Sequence, residues 1–148
     1  MRPTGPFEAE AVELLKALVE TESPTGREDE AVGLFVEAAR SMGLEAGRDE
    51  AGNGVAAKGE GGRRIYLVGH IDTVPGSIPV RIEGGELWGR GSVDAKGALA
   101  AMLVALARAS LRPGLEVRLF ACVDEEGRSR GARHLLGSAP EPEGVVVG

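Results

Sequence analysis

The sequence predicts an α/β fold: a mostly parallel sheet covered by helices on both faces. Three observations carry that expectation. Residues 7–19 present Val12, Leu14, Leu15, Leu18 and Val19 as one apolar stripe with acids on the other side, the 3.6-residue period of an amphipathic helix. An apolar run at 65–68 ends in a glycine, and a second segment, 115–123, ends in acids; both read as buried strands. Helices and strands then alternate along the chain, an order that parallel strands joined by covering helices accommodate. At 148 residues the chain is one ordinary domain, long enough to bury a proper core.

The elements follow in order. Ser23-Pro24-Thr25 ends the first helix, and Thr25 with Glu28 makes a capping-box pattern before a second helix that runs to about Met42. Gly43 stands where a helix closes in the left-handed conformation. Short strands at 44–46 and 54–57 precede the strand that leads to His70. The segment VRIEGGELWG reads as a hairpin turning at Gly84 and Gly85. A helix at 95–109, a strand at 115–123, a helix at 131–136 and a strand at 145–147 complete the chain. No internal repeat, low-complexity tract or linker interrupts them.

Composition narrows the function classes. A net charge of −6 with scattered arginines leaves no basic stripe for phosphates, which argues against nucleic acid as a partner. The single cysteine, Cys122, excludes an internal disulfide and agrees with a reducing compartment; its place in an apolar strand makes it an inert buried thiol. The first sixteen residues lack the charged and apolar regions of a signal peptide, and no apolar run has the length of a membrane span. The expected location is the cytoplasm, with no membrane partner.

Three segments carry the chemistry. GHIDTVPG delivers His70 and Asp72 at the end of a strand, two positions apart and so on the same side of an extended chain. The Asp72 carboxylate is then within reach of one ring nitrogen and fixes the tautomer, which frees the other nitrogen for a metal. GRGSVDAKG sets Asp94 at a glycine-rich entry into an Ala- and Leu-rich helix, and DEEG sets Asp124, Glu125 and Glu126 just past a buried strand. A parallel sheet gathers such residues on the rim formed by its strand carboxyl ends. One imidazole with several carboxylates suits a divalent cation, and adjacent Glu125 and Glu126 can divide the work, one as ligand and one as general base. The glycines and lysine of GRGSVDAKG do not make a phosphate loop, because the Gly-Lys-Ser/Thr run is missing and an acid would face the phosphate. Trp88 is expected to pack the loop that aims Asp94, Lys96 to pair with a nearby carboxylate, His134 to lie on the surface, and Arg128 and Arg130 to belong to a solvated loop.

With these motifs in this order, the chain resembles the zinc-dependent M20 family of metallopeptidases and amidohydrolases, from about the first helix to the last residue. The resemblance implies two zinc ions, with cobalt or manganese as alternatives. It implies that His70 binds one ion, Asp94 bridges both and Glu126 binds the other, while Asp72 orients His70 and Glu125 is the general base. It implies a cis peptide between Asp94 and Ala95. The implied activity is hydrolysis of an amide or peptide bond of an N-acylated amino acid, and GSVDAKG is most similar to hydrolases that release lysine or ornithine from a small acidic amino-group carrier protein. Acetylornithine or acetyl-lysine deacetylation and dipeptide cleavage remain open. The family's catalytic domain is longer and its complete members form homodimers, so residues 1–148 are expected to be its N-terminal part. With two protein ligands per ion, the chain alone is expected to be inactive; the alternative is a non-catalytic module of the same fold.

Overall fold

The structure, a computed structural model, describes residues 6–148. Its elements are α1 (Pro6–Glu20), α2 (Asp29–Ser41), β1 (Glu45–Arg48), β2 (Gly54–Lys58), β3 (Arg63–His70), β4 (Arg81–Glu83), β5 (Glu86–Trp88), α3 (Lys96–Arg108), β6 (Leu115–Cys122), α4 (Arg130–Ser138) and β7 (Gly144–Val147). Every expected element forms, within a few residues of its expected bounds. Gly43 closes α2 with φ 82°, and β4 and β5 make the hairpin that turns at Gly84 and Gly85.

Five strands form one sheet in the order β1-β2-β6-β3-β7. The α/β class holds, but the sheet is mixed: β6, β3 and β7 run parallel, whereas β1 pairs β2 and β2 pairs β6 antiparallel. Connection length explains the difference. Only residues 49–53 join β1 to β2, room for a hairpin turn and not for a crossover. Between β3 and β6, in contrast, the chain has room for the β4–β5 hairpin and α3.

Alternation along the strands sorts side chains to the two faces. Val117, Leu119 and Ala121 of β6 join Ile65 and Leu67 of β3 under Leu14, Leu18, Val32, Phe35, Leu99 and Leu103 of α1, α2 and α3. Tyr66, Phe120 and Cys122 point the other way, where Ala132, Leu135 and Ala139 of α4 and its end cover them. Tyr66 and Phe120 meet edge to face at 5.0 Å, and the Tyr66 hydroxyl donates to the Pro140 carbonyl at 2.6 Å. No helix among the described residues is long and apolar enough to cross a membrane.

One buried side chain ties the antiparallel edge to the rim. Asn53, fully buried in the β1–β2 turn, accepts from the Val123 N–H at 3.0 Å and donates to Asp49 at 2.7 Å and to the Gly131 carbonyl at 3.2 Å. This brings α4 so near that a Cβ on Gly131 would lie 2.2 Å from the Asn53 oxygen and 2.7 Å from the Val123 backbone. Backbone cannot yield as a side-chain tip can. Gly131→Ala is therefore expected to destabilise the fold by about 2 kcal/mol, the scale of overpacking, read as a lower urea midpoint with unchanged slope. An unchanged midpoint would show that α4 is free to shift.

Candidate metal centre at the sheet rim

The parallel register of β3 and β6 sets His70 opposite Cys122, so both strands deliver their carboxyl ends to the same rim. Ile71 extends the pairing through its N–H to the Cys122 carbonyl at 2.9 Å. Residues 124–126 consequently turn directly beside His70 and Asp72. His70 Nε2 lies 2.8 Å from Asp94 Oδ1 and 3.7 Å from Glu125 Oε2. Ligand atoms of His70, Glu125 and Glu126 all fall within 4.8 Å of one another. The three motifs thus converge on one point, with Glu125 in the cluster alongside His70, Asp94 and Glu126.

Asp72 acts differently from the sequence expectation. The group that meets His70 Nδ1 is the Asp72 backbone carbonyl, at 2.9 Å, and the Asp72 carboxylate stands 3.6 Å away. That carboxylate is fully buried and engaged elsewhere: it accepts from the Thr25 hydroxyl at 2.8 Å, the Glu125 N–H at 3.0 Å and the Glu126 N–H at 3.1 Å. Asp72 therefore meets His70 through its main-chain carbonyl and holds the acid turn through its side chain. Burial pushes its carboxyl pKa up, but His70, the Thr25 hydroxyl and the two backbone N–H groups together hold it below the ordinary value.

The capping box is likewise redirected. Thr25 does not cap α2, because its hydroxyl serves Asp72 and its N–H bonds the Thr73 carbonyl at 3.2 Å. Glu28 occupies the N-cap without a side-chain cap bond; its carboxylate accepts from Gly26 N–H at 2.9 Å and from Asp124 N–H at 3.1 Å. Both residues were legible as a local helix start. Their long-range partners lie dozens of residues away, beyond any local pattern.

Asp94 reaches the cluster on the loop between β5 and α3. The Asp94–Ala95 peptide is cis, as the resemblance implied. Gly91 has φ 80°, and a Cβ there would lie 2.6 Å from Thr73, so the loop can lie against the His70 strand end only with glycine at this position. Trp88, expected to pack this loop, is half exposed and carries the Arg81 guanidinium 4.6 Å above its ring. Lys96, almost fully buried, donates to the Leu18 and Thr21 carbonyls, both at 2.8 Å, rather than to a carboxylate. It answers the unpaired carbonyls at the end of α1 and so fastens that helix to the start of α3. Burial lowers its pKa to about 8, against the attraction of Glu22.

The turn after β6 is built by Asp124 in the left-handed region, φ 61°. Its carboxylate accepts from the N–H groups of Arg128 and Arg130, and its carbonyl accepts from Ser129 N–H at 2.6 Å. Asp124 is thus spent on the turn, which leaves Glu125 and Glu126 for chemistry. The Arg130 guanidinium bonds the Ala51 carbonyl, and His134 pairs with Glu50 at 3.1 Å, apart from the cluster as expected. Cys122 is buried and its thiol pKa is pushed up to about 12, mainly by burial, so it is no nucleophile.

The donor set fits a divalent cation. A carbonyl faces Nδ1 and a carboxylate faces Nε2, so the His70 ring satisfies both only as the doubly protonated cation. Its pKa is raised to about 9, chiefly by Asp72, against burial and with help from Asp94 and Glu125. The acids that draw a proton to Nε2 there are the ones that would draw a metal. The His70 side chain is largely buried while those of Asp94 and Glu125 are 75% and 48% exposed. Asp94 and Glu126 line a cleft of about 440 Å³ together with Thr73, Arg90 and Ser92.

An α/β sheet whose carboxyl rim gathers an imidazole and several carboxylates offers a group of side chains able to hold a metal ion. Residues 66–147 match peptidase family M20/M25/M40, and the chain belongs to that family. A Thermococcus kodakarensis protein, provisionally named a LysW-lysine/LysW-ornithine hydrolase, is 51% identical over 139 residues, which cover 94% of this chain and 39% of that relative. The LysW-lysine hydrolase of Deinococcus radiodurans is 39% identical over 154 residues, covering 100% of this chain and 41% of its own. The chain spans about two fifths of the length of these curated relatives. Among solved structures, a Staphylococcus aureus tripeptidase superposes with a TM-score of 0.76 at 23% identity, over 94% of this chain and 42% of the other, a likeness of fold.

The Asp72 network generates a stability prediction. Asp72→Ala leaves one hydroxyl and two backbone N–H groups facing a buried void, and is expected to cost about 3 kcal/mol in urea unfolding. A loss under about 1 kcal/mol would mean that water replaces the carboxylate without penalty.

Proposed function

We propose that this chain carries part of the dinuclear metal centre of an amidohydrolase that frees an amino acid from an N-acyl linkage. The observation that carries the reading is the convergence of His70, Asp94, Glu125 and Glu126 from three separate segments onto one rim. In this reading His70 and Glu126 would each hold one ion, and Asp94 would be shared between the two. Zinc suits such a mixed set of imidazole and carboxylate, and cobalt or manganese would be accepted by the same ligands. A bound divalent ion supplies Lewis-acid polarisation of the scissile carbonyl and lowers the pKa of water. Glu125, half exposed and 3.7 Å from His70 Nε2, takes a proton from the attacking water and returns it to the leaving amine. Asp72 holds His70 in one orientation and keeps the backbone of Glu125 and Glu126 fixed.

For the substrate we infer lysine or ornithine linked to a LysW-type carrier protein. The names of the relatives and their 39–51% identity support this choice over a free dipeptide or an acetylated amino acid. The single buried, unpaired cysteine supports a reducing, cytoplasmic setting.

Paired variants test the division of labour. Glu126→Gln is expected to lower zinc affinity, measured by equilibrium dialysis, while Glu125→Gln leaves it nearly intact. Where release of lysine from the carrier is measurable, Glu125→Gln should slow it about a hundredfold or more, because a base is lost without a ligand. If Glu125→Gln strips the metal and Glu126→Gln does not, the two roles are exchanged, an outcome that the 3.7 Å approach of Glu125 to His70 makes a specific second reading. Wild-type affinity in both variants would sink the metal assignment.

A further inference from the structure

Residues 23–28, Ser-Pro-Thr-Gly-Arg-Glu, contribute no group to the metal cluster, yet they make an unusual set of buried bonds. The Ser23 hydroxyl donates to the Ile71 carbonyl at 2.7 Å and the Ser23 carbonyl accepts from Thr73 N–H at 2.9 Å. Pro24 and Thr73 form a parallel bridge, continued by Thr25 N–H to the Thr73 carbonyl. Thr25 then reaches Asp72, and Glu28 reaches Asp124 N–H. Ser23, Glu28, Asp72 and Thr73 are all almost completely buried. The segment therefore runs as a short extra strand beside residues 71–73 and grips the acid turn with Glu28. It touches both chain segments that the proposed metal centre must hold in register.

We propose that Thr25 and Glu28 are positioning residues that set the distance between the His70 strand end and the Glu125–Glu126 turn. The inference rests on the metal-centre reading above for its consequence, but the geometry it asserts belongs to this chain alone. Two carboxylates, Asp72 and Glu28, receive the N–H groups of three successive residues, 124, 125 and 126. The Thr25 hydroxyl supplies a third bond to Asp72 and so fixes the plane in which that carboxylate accepts. Without that donor, Asp72 can rotate toward His70 Nδ1, 3.6 Å away, and release the turn. Without Glu28, the first N–H of the turn loses its acceptor and the left-handed Asp124 loses its anchor. Partners that orient ligands in this way change metal affinity by roughly ten- to a hundredfold when removed.

The test compares four variants with the wild-type chain. Thr25→Val and Glu28→Met remove the hydroxyl donor and the acceptor, while Thr25→Ser and Glu28→Gln retain an oxygen in the same place. Val117→Ala, in the core near the amino end of β6 and five residues before Cys122, serves as a control for general destabilisation. Amide hydrogen exchange on metal-free protein should show residues 124–126 opening at least about tenfold faster in Thr25→Val and Glu28→Met, with near-wild-type rates in Ser and Gln variants and in the control. Cobalt affinity, read from the visible absorption of the bound ion, should fall about tenfold or more in the same two variants and recover in the other two. Unchanged exchange at 124–126 in both disruptive variants, or equal acceleration in Val117→Ala, overturns the proposal. Altered exchange with unaltered cobalt affinity overturns its link to the metal. A wild-type chain that binds no cobalt overturns the metal-centre reading instead, and the exchange data still decide the positioning claim.

Discussion

Everything at the rim depends on the in-register parallel pairing of β3 with β6. Because the two strands run the same way and His70 faces Cys122 across the ladder, whatever follows each strand must emerge at one edge of the sheet. A shift by one residue would turn His70 to the opposite face and carry the buried set of β3 with it. The apolar faces prevent that shift: Leu67 and Leu119 are committed to the helices α1–α3, and Tyr66 and Phe120 to α4. The hydrophobic core thus does more than stabilise the fold, since it fixes the register on which the chemical groups rely.

A second layer of constraint is polar. Five acids, Asp72, Asp94, Asp124, Glu125 and Glu126, gather at the rim around one imidazole, and their mutual repulsion has to be met by something other than solvent. The chain assigns the most buried of them, Asp72, to backbone N–H groups and a hydroxyl, and assigns Asp124 to the start of α4. Only the remaining acids are left to face the cleft.

Much of this was legible in the sequence, for identifiable reasons. Long elements with clear periodicity, such as α1, β3 and β6, declare themselves through local pattern, and so does the hairpin at Gly84-Gly85. The ligand candidates His70, Asp94 and Glu126 stand at strand or helix ends, where a parallel sheet collects them. What was not legible were the partners. Thr25 and Glu28 have the spacing of a capping box, and nothing within four residues reveals that their side chains are claimed by Asp72 and Asp124. The i, i+2 rule brought Asp72 and His70 to the same side but could not choose between carbonyl and carboxylate as the contact. Lys96 reads as the partner of a nearby carboxylate, whereas its ammonium is buried on the carbonyls at the end of α1. The antiparallel edge was lost for a simpler reason: a five-residue turn outweighs the α/β habit of parallel neighbours.

The left-handed Asp124 ends β6, opens the acid turn and starts α4 through one carboxylate and one carbonyl. These three pieces cannot melt separately. Any fluctuation that unravels the first turn of α4 must also release the backbone that carries Glu125 and Glu126, so the lifetime of the assembled rim is bounded by the local opening of a nine-residue helix on the far face of the sheet. Surface changes along α4, distant from the cleft and touching none of the cluster, would then act on the centre as a dimmer acts on a lamp, through the fraction of time the turn stays closed.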